Sequence, residues 1–218
     1  MSTTYVTEPA TRNATTYVSI DVATKSLALG IYQISDRLPI ITSLIGKEEL
    51  GATEEIDSLI VPIMMDVVDL NPDKKSKEIP IHEKAIALKN VLTKFDEYIP
   101  SDTKFVVLIE YQMNANHMSN AIFNMIAYHY AGRAEVNTVF PSLKNTFAFH
   151  PKLSHSNMLA ISSTNYIANK NHCKYNFMYF MTMFGYGSKC AHIKAKNLDD
   201  IADTFMQCVA WHKRTIVG

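Results

Sequence analysis

The feature of this sequence that most constrains its fold is an unbroken apolar run, residues 105–109, which stops abruptly at Glu110. A strand with one solvent-facing side alternates apolar and polar residues, whereas a continuous apolar run is typical of a strand buried on both faces. Such a strand belongs in a sheet that is covered by helices. The run therefore predicts an α/β protein with a carboxylate at the end of an inner strand.

Strand and helix patterns alternate on both sides of this run. Apolar residues recur at helical spacing in 82–99, between Pro80 and Pro100, and again in 118–129. Other stretches predict strands at 18–22, 27–34, 38–45 and 136–140, and helices at 158–168 and 198–213. The order of three strands, helix, strand, helix and strand predicts a mixed sheet. In it an antiparallel three-strand meander joins parallel strands, and helices cover both faces.

Length and composition fit one globular domain. The chain has 218 residues, of which 47% are hydrophobic and 19% charged. Residues 1–16 are rich in Thr, contain Pro9 and show no periodicity, so we expect a disordered N-terminal arm. We expect a single domain over 17–214, in which the polar and acidic segment near 46–80 is an insertion or a partner surface.

Several protein classes are disfavoured by what the sequence lacks. It has no apolar run of membrane-spanning length and no secretory signal pattern, so we expect an intracellular protein that does not enter a membrane. Its three cysteines are odd in number and irregularly spaced, which indicates a reducing compartment. A zinc site is disfavoured because its candidate ligands have no zinc-like spacing; they are His172, Cys173, Cys190 and His192.

The formal net charge is zero, but the charges are unevenly distributed. No acidic residue lies between Glu135 and Asp199, an interval with seven lysines and many aromatic residues. Basic residues interleaved with rings suit a nucleic-acid backbone. A solvated lysine surface over an aromatic core is the alternative interpretation of the same segment.

Four carboxylates occupy places that suggest chemistry. Asp21 ends the strand at 18–22, Glu110 ends the run at 105–109, and Asp200 and Asp203 share one face of the last predicted helix. Three of them have a structural alternative: a turn cap for Asp21, an ion pair with Lys104 or Lys144 for Glu110, and helix-dipole chemistry for Asp200, which is a weaker explanation for Asp203. If folding gathers all four, their repulsion requires divalent cations, and oxygen ligands favour Mg²⁺ or Mn²⁺. Two such ions can activate water and stabilise the leaving oxygen of a phosphodiester.

Three motifs around these carboxylates resemble a known family. They are Ile-Asp-Val-Ala-Thr-Lys at 20–25, Ile-Glu-Tyr-Gln at 109–112 and Asp-Asp-Ile-Ala-Asp at 199–203, of which the third is the most specific. In this order, they resemble the RuvC-like Holliday junction resolvases, especially the poxvirus type and its mitochondrial relatives. The likeness extends over about residues 17–211.

The resemblance implies a ribonuclease H-like fold, a homodimer, and symmetric nicking of four-way DNA junctions with two Mg²⁺ ions per site, for which Mn²⁺ can substitute. The acidic residues of the family carry over onto Asp21, Glu110, Asp200 and Asp203. A basic residue near the scissile phosphate is also implied. Lys144 is the first choice, with Lys152 and Lys194 behind it. A cytoplasmic site of viral replication or a mitochondrion would suit such an activity.

The sequence departs from the family in two places. Ala23 stands where family members commonly have Gly, which makes the turn after Asp21 less permissive. The acidic region 48–73 has no counterpart that we can assign.

Three other functions remain open. The first is a protein of the same fold that binds junctions as a scaffold without cleaving them. The second is a ribonuclease H-fold nuclease that acts on RNA/DNA hybrids or flaps. The third, an actin-like or sugar-kinase ATPase, is disfavoured because its phosphate loop requires glycines where this chain has Ala23.

Overall fold

A computed structural model describes residues 14–37, 59–75, 78–101, 103–111, 117–139 and 166–217. Its strands are β1 (Ala14–Val22), β2 (Ser26–Ser35), β3 (Ile60–Asp69), β4 (Phe105–Glu110) and β5 (Glu135–Val139). Its helices are α1 (Ile81–Asp96), α2 (His117–Tyr130), α3 (Tyr166–Met183), the short α4 (Gly187–Cys190) and α5 (Leu198–Val217), which follows a 3-10 turn at Ala195–Asn197. No helix in these ranges combines the length and the apolar character that a membrane crossing requires.

The strands form one sheet in the order β3-β2-β1-β4-β5. β2 pairs antiparallel with β1 and β3, whereas β4 pairs parallel with β1 and β5. The predicted mixed sheet, an antiparallel meander extended by parallel strands, is therefore confirmed.

The third strand of the meander differs from the prediction. It is β3, which lies within the segment near 46–80 that was expected to be an insertion, while the predicted strand at 38–45 lies outside the described residues. Pro62 had obscured the pattern, since proline cannot donate a hydrogen bond to a sheet. In the structure Pro62 lies on β3, which is at one edge of the described sheet. It pairs with Tyr32 of β2, next to a shift in register between Ile31 and Tyr32. Outer strands and such irregularities are the positions in a sheet that tolerate proline.

Two further boundaries differ from the predictions. β1 begins at Ala14, so three residues of the expected N-terminal arm belong to the sheet, where Thr16 is buried and accepts a hydrogen bond from Gln33 Nε2 at 3.3 Å. Of the helix predicted at 158–168, residues 158–165 lie outside the described residues; helix α3 begins at Tyr166 and continues to Met183, well beyond the predicted end. Its buried Phe177 and Phe180 pack edge-to-face on Phe205 of α5, so tertiary contacts stabilise a helix that has no clean amphipathic pattern.

The sheet lies between two layers of helices. One core, which includes Leu88 of α1 and Ile122 of α2, covers the first face, and another, which includes Phe180 of α3 and Phe205 of α5, covers the second. Because side chains alternate along a strand, Val18, Ile20 and Val22 of β1 enter the first core, and Tyr17 and Ser19 point to the second. Asp21 continues this second set, and therefore lies on the face covered by α3 and α5.

Candidate metal centre

Asp21 is the penultimate residue of β1 and is partly buried. The turn after it is closed by a hydrogen bond from Ala23 N–H to the Ser26 carbonyl at 3.1 Å, and Ala23 itself is exposed. The methyl group that replaces the family's glycine hydrogen therefore sits at the surface. Lys84 of α1, which is buried, donates from Nζ to the Thr24 carbonyl at 2.8 Å and holds the same turn against the helix.

Glu110 is the last residue of β4, beside Asp21. The parallel register pairs Ser19 with Leu108 and Ile20 with Ile109, so the next residues along both strands are Asp21 and Glu110. Leu108 belongs to the core beneath α3 and α5, and alternation directs Glu110 to that same face. Two carboxylates consequently meet at the carboxyl ends of adjacent parallel strands, which is the edge where α/β sheets place their ligands.

Asp203 of α5 completes a group of three. Its residue exposure is only 2%, and one carboxylate oxygen each of Asp21, Glu110 and Asp203 lies within 4.8 Å of the other two. Helix α5 crosses this end of the sheet because its apolar side packs on β1 and β2, with Thr204 Oγ1 2.9 Å from Tyr32 OH as one specific contact. The structure thus brings together three of the four carboxylates that the sequence singled out.

Asp200, the fourth, lies one helical turn before Asp203 and is not a member of this group. It is joined to the group through Lys170 of α3, whose Nζ lies 3.5 Å from Asp200 Oδ1 and 3.9 Å from Asp203 Oδ2. Burial raises the pKa of Asp200, and the nearby Asp203 and Asp199 add to this, while Lys170 opposes it. The carboxylate of Asp200 therefore borders the centre, and Lys170 favours its charged form.

Lys170 is one of two residues of this site that sequence reasoning missed, and Gln207 is the other. Lys144, the preferred basic residue, and Lys152 lie outside the described residues, and Lys194 is exposed in the segment before α5. A signal was present in the charge pattern, since Lys170 and Lys174 are four residues apart on one side of α3. They face the acidic start of α5, where Lys174 Nζ lies 3.0 Å from Asp199 Oδ1.

A buried amide holds Glu110 in place. Gln207, one turn after Asp203 on α5, is fully buried and donates from Nε2 to Glu110 Oε2 at 2.6 Å. Its Oε1 accepts a hydrogen bond from Ser19 Oγ at 2.9 Å, which fixes the orientation of the amide. Both ends of the Gln207 side chain are thus used, and one Glu110 oxygen is aimed by a charge-assisted hydrogen bond.

The chemistry of these donors fits a divalent cation. Three carboxylates at such short separations repel one another, and hard oxygen ligands are those that Mg²⁺ and Mn²⁺ prefer. Among the described residues this is the one cluster of acidic, His or Cys side chains with metal-binding spacing, and Cys173 and Cys190 are buried thiols outside it.

Two solved structures resemble this chain over nearly its whole length. One is a fowlpox virus resolvase in complex with its substrate Holliday junction DNA, with a TM-score of 0.54, 16% identity, and coverage of 92% of this chain and 98% of the other. The second is the fowlpox virus Holliday junction resolvase, with a TM-score of 0.55, 15% identity, and coverage of 91% and 99%. No protein-family model and no curated protein matches the sequence. The likeness expected from the three motifs is confirmed at the level of architecture: this chain has a ribonuclease H-like fold that it shares with the fowlpox virus Holliday junction resolvase.

Proposed function

We propose that this protein is a metal-dependent endonuclease that resolves four-way DNA junctions by phosphodiester hydrolysis. The observation that carries the proposal is the meeting of Asp21, Glu110 and Asp203 within 4.8 Å at the carboxyl edge of the sheet. It is supported by the fold, which is shared with a fowlpox virus resolvase solved with Holliday junction DNA. A nuclease of this kind requires clustered carboxylates because they hold the divalent cations that stabilise its anionic substrate and transition state.

In this proposal the four carboxylates hold and orient Mg²⁺ or Mn²⁺, two ions per site. Asp21, Glu110 and Asp203 would supply the closest oxygens, and Asp200 would supply an oxygen from the bordering turn of α5. When bound, such ions lower the pKa of an attacking water and stabilise charge on the phosphate. Gln207 keeps Glu110 Oε2 at a fixed position, so the cluster does not have to reorganise when substrate arrives.

Lys170 is the basic residue that we assign to this site. Its ammonium group lies between Asp200 and Asp203, where it offsets carboxylate repulsion in the resting protein and can contact a phosphate oxygen when DNA is bound. The role predicted for Lys144 stays a prediction. If both lysines contribute, removal of either will slow cleavage.

The quaternary state follows from the proposed substrate. A four-way junction is resolved by two cuts at symmetric positions, and a two-fold dimer presents two equivalent sites. We therefore propose a homodimer in which the single domain predicted over 17–214, extended to 14–217 by the bounds of β1 and α5, forms one nuclease unit in each subunit.

The test uses the purified full chain with labelled four-way, flap, RNA/DNA hybrid and duplex substrates, in Mg²⁺, in Mn²⁺ and in chelator. We expect paired nicks in the four-way junction with either metal and none in chelator. Asp21→Asn and Asp203→Asn should bind the junction without cutting it. Glu97→Gln removes an exposed carboxylate of the opposite helical layer and should cut normally.

Each other result points to a different conclusion. Cleavage that persists in chelator, or in Asp203→Asn, would contradict the proposed role of the cluster. Cleavage of flaps or hybrids with the junction left intact would show that the same site serves a nuclease with a different substrate. Binding of the junction without any nicking would favour the scaffold function.

A further inference from the structure

A groove of about 870 Å³ opens beside Asp200, the residue that borders the acidic cluster. Its walls are β3, the second half of α1 and the segment that leads into α5, and Asp200 lies in its lining. The groove thus runs from Asp200, at the border of the candidate metal centre, to β3, a strand at one edge of the described sheet.

Three lysines from two separate parts of the chain line this groove. They are Lys94, in the last turn of α1, and Lys194 and Lys196, just before α5, and all three are exposed. Within the described residues none of the three has a carboxylate within ion-pair distance. Their charges are therefore available to a ligand.

The acidic residues in the same lining are already compensated. Asp69 Oδ2 lies 3.2 Å from Lys25 Nζ, and Asp200 Oδ1 lies 3.5 Å from Lys170 Nζ. Asp66 is only 7% exposed, and its Oδ1 accepts the Val67 N–H at 2.8 Å. The groove consequently presents positive charge to solvent, although its lining contains equal numbers of lysines and aspartates.

We infer that this groove binds the phosphodiester backbone of a DNA arm that leads away from the acidic cluster. The inference rests on the proposed nuclease function and adds the path of the substrate. Phosphate oxygens only accept hydrogen bonds, and the groove offers ammonium groups together with the side-chain amides of Asn90 and Asn197. A strand whose scissile phosphate lies at the carboxylates passes Asp200 and meets Lys194 and Lys196 next.

The test compares two triple variants of the full chain with equal loss of charge. The first replaces the groove lysines (K94Q, K194Q and K196Q). The control replaces Lys89, Lys104 and Lys213, which are exposed and lie outside the groove lining (K89Q, K104Q and K213Q). Binding of a fluorescent four-way junction is measured by anisotropy over a range of salt concentrations, with Ca²⁺ in place of Mg²⁺.

Each phosphate contact contributes about 0.9 to the slope of log affinity against log salt, so the groove variant should lose roughly 2 to 3 from this slope. Its affinity at low salt should fall on the order of tenfold or more, and the control should stay close to wild type. If the two variants lose junction affinity equally, or if neither loses any, the groove inference is wrong. The proposed nuclease function would still stand in that case, provided that the wild-type protein binds and cuts junctions. A wild-type protein that binds no DNA would overturn both the groove and the proposed function.

Discussion

Neutralising Asp203 tests the acidic cluster without any substrate. Two carboxylates 4.8 Å apart repel by about 3.5 kcal/mol at an effective dielectric constant near 20, and Asp203 lies at least this close to both Asp21 and Glu110. Asp203→Asn would thus relieve about 7 kcal/mol of repulsion. It would also lose an attraction of about 4 kcal/mol to Lys170, whose Nζ is 3.9 Å away. Because Asp21 and Glu110 are partly exposed and screened, we expect a net gain between about 0 and 3 kcal/mol in the free energy of unfolding without metal.

The same substitution should abolish the response to metal. A ligand present at about 100 times its dissociation constant stabilises a folded protein by about 2.7 kcal/mol, and we expect Mg²⁺ to do so for wild type but not for Asp203→Asn. The assay is urea unfolding in chelator and in Mg²⁺. Asp199→Asn is the matched control, because Asp199 lies on the same helix as Asp203 but is paired with Lys174 of α3 and lies outside the cluster.

A variant that is less stable than wild type in chelator would refute this reasoning, since it would mean that the three carboxylates do not repel one another in the folded protein. Equal stabilisation of wild type and Asp203→Asn by Mg²⁺ would likewise show that the metal binds elsewhere. The Asp199→Asn control should lose at most about 1 kcal/mol, as expected for a solvent-accessible ion pair, and should keep its Mg²⁺ response.

Three further predictions follow from individual contacts. Gln207→Leu removes the buried amide that holds Glu110, so the free energy of unfolding should fall by about 2–4 kcal/mol. The rate of junction cleavage should fall more than the affinity for the junction. Unchanged stability would contradict the proposed hydrogen-bond network. Lys170→Met should slow single-turnover cleavage far more than Lys174→Met, which removes only the outer ion pair; equal rates would argue against a role for Lys170 at the site. Burial lowers the pKa of His212 below its ordinary value of 6.5, so the unfolded chain takes up the proton first. Stability should be complete above about pH 6.5 and fall towards acid by at most about 1.4 kcal/mol per pH unit. His212→Gln should flatten this part of a urea-unfolding pH profile, and an unchanged profile would refute the assignment.

Elements with a strong local pattern could be predicted from the sequence. The unbroken apolar run before Glu110 became β4, and the alternation before Asp21 became β1, because a strand's period depends only on its own residues. β3 was missed because Pro62 argues locally against a strand, and only the neighbouring strand shows that the position tolerates it.

The candidate site also has features that the sequence predicts and features that depend on tertiary packing. Its residue types and their places at element ends were set by the sequence alone, which is why Asp21, Glu110, Asp200 and Asp203 could be named in advance. The charge pattern places Lys170 and Lys174 on one side of α3, but it does not show that Lys170 reaches Asp203, because that contact depends on the packing of α3 on α5.

The sequence by itself determined that this protein has an α/β sheet with carboxylates at strand and helix ends and a basic, aromatic second half. Only the tertiary structure decided which carboxylates meet, that Gln207 aims Glu110, and that three lysines without an ion-pair partner among the described residues share a groove with Asp200. The physical reason is that repulsion, hydrogen bonding and charge compensation act over a few ångströms. Such distances between residues remote in sequence are set by strand register and helix packing.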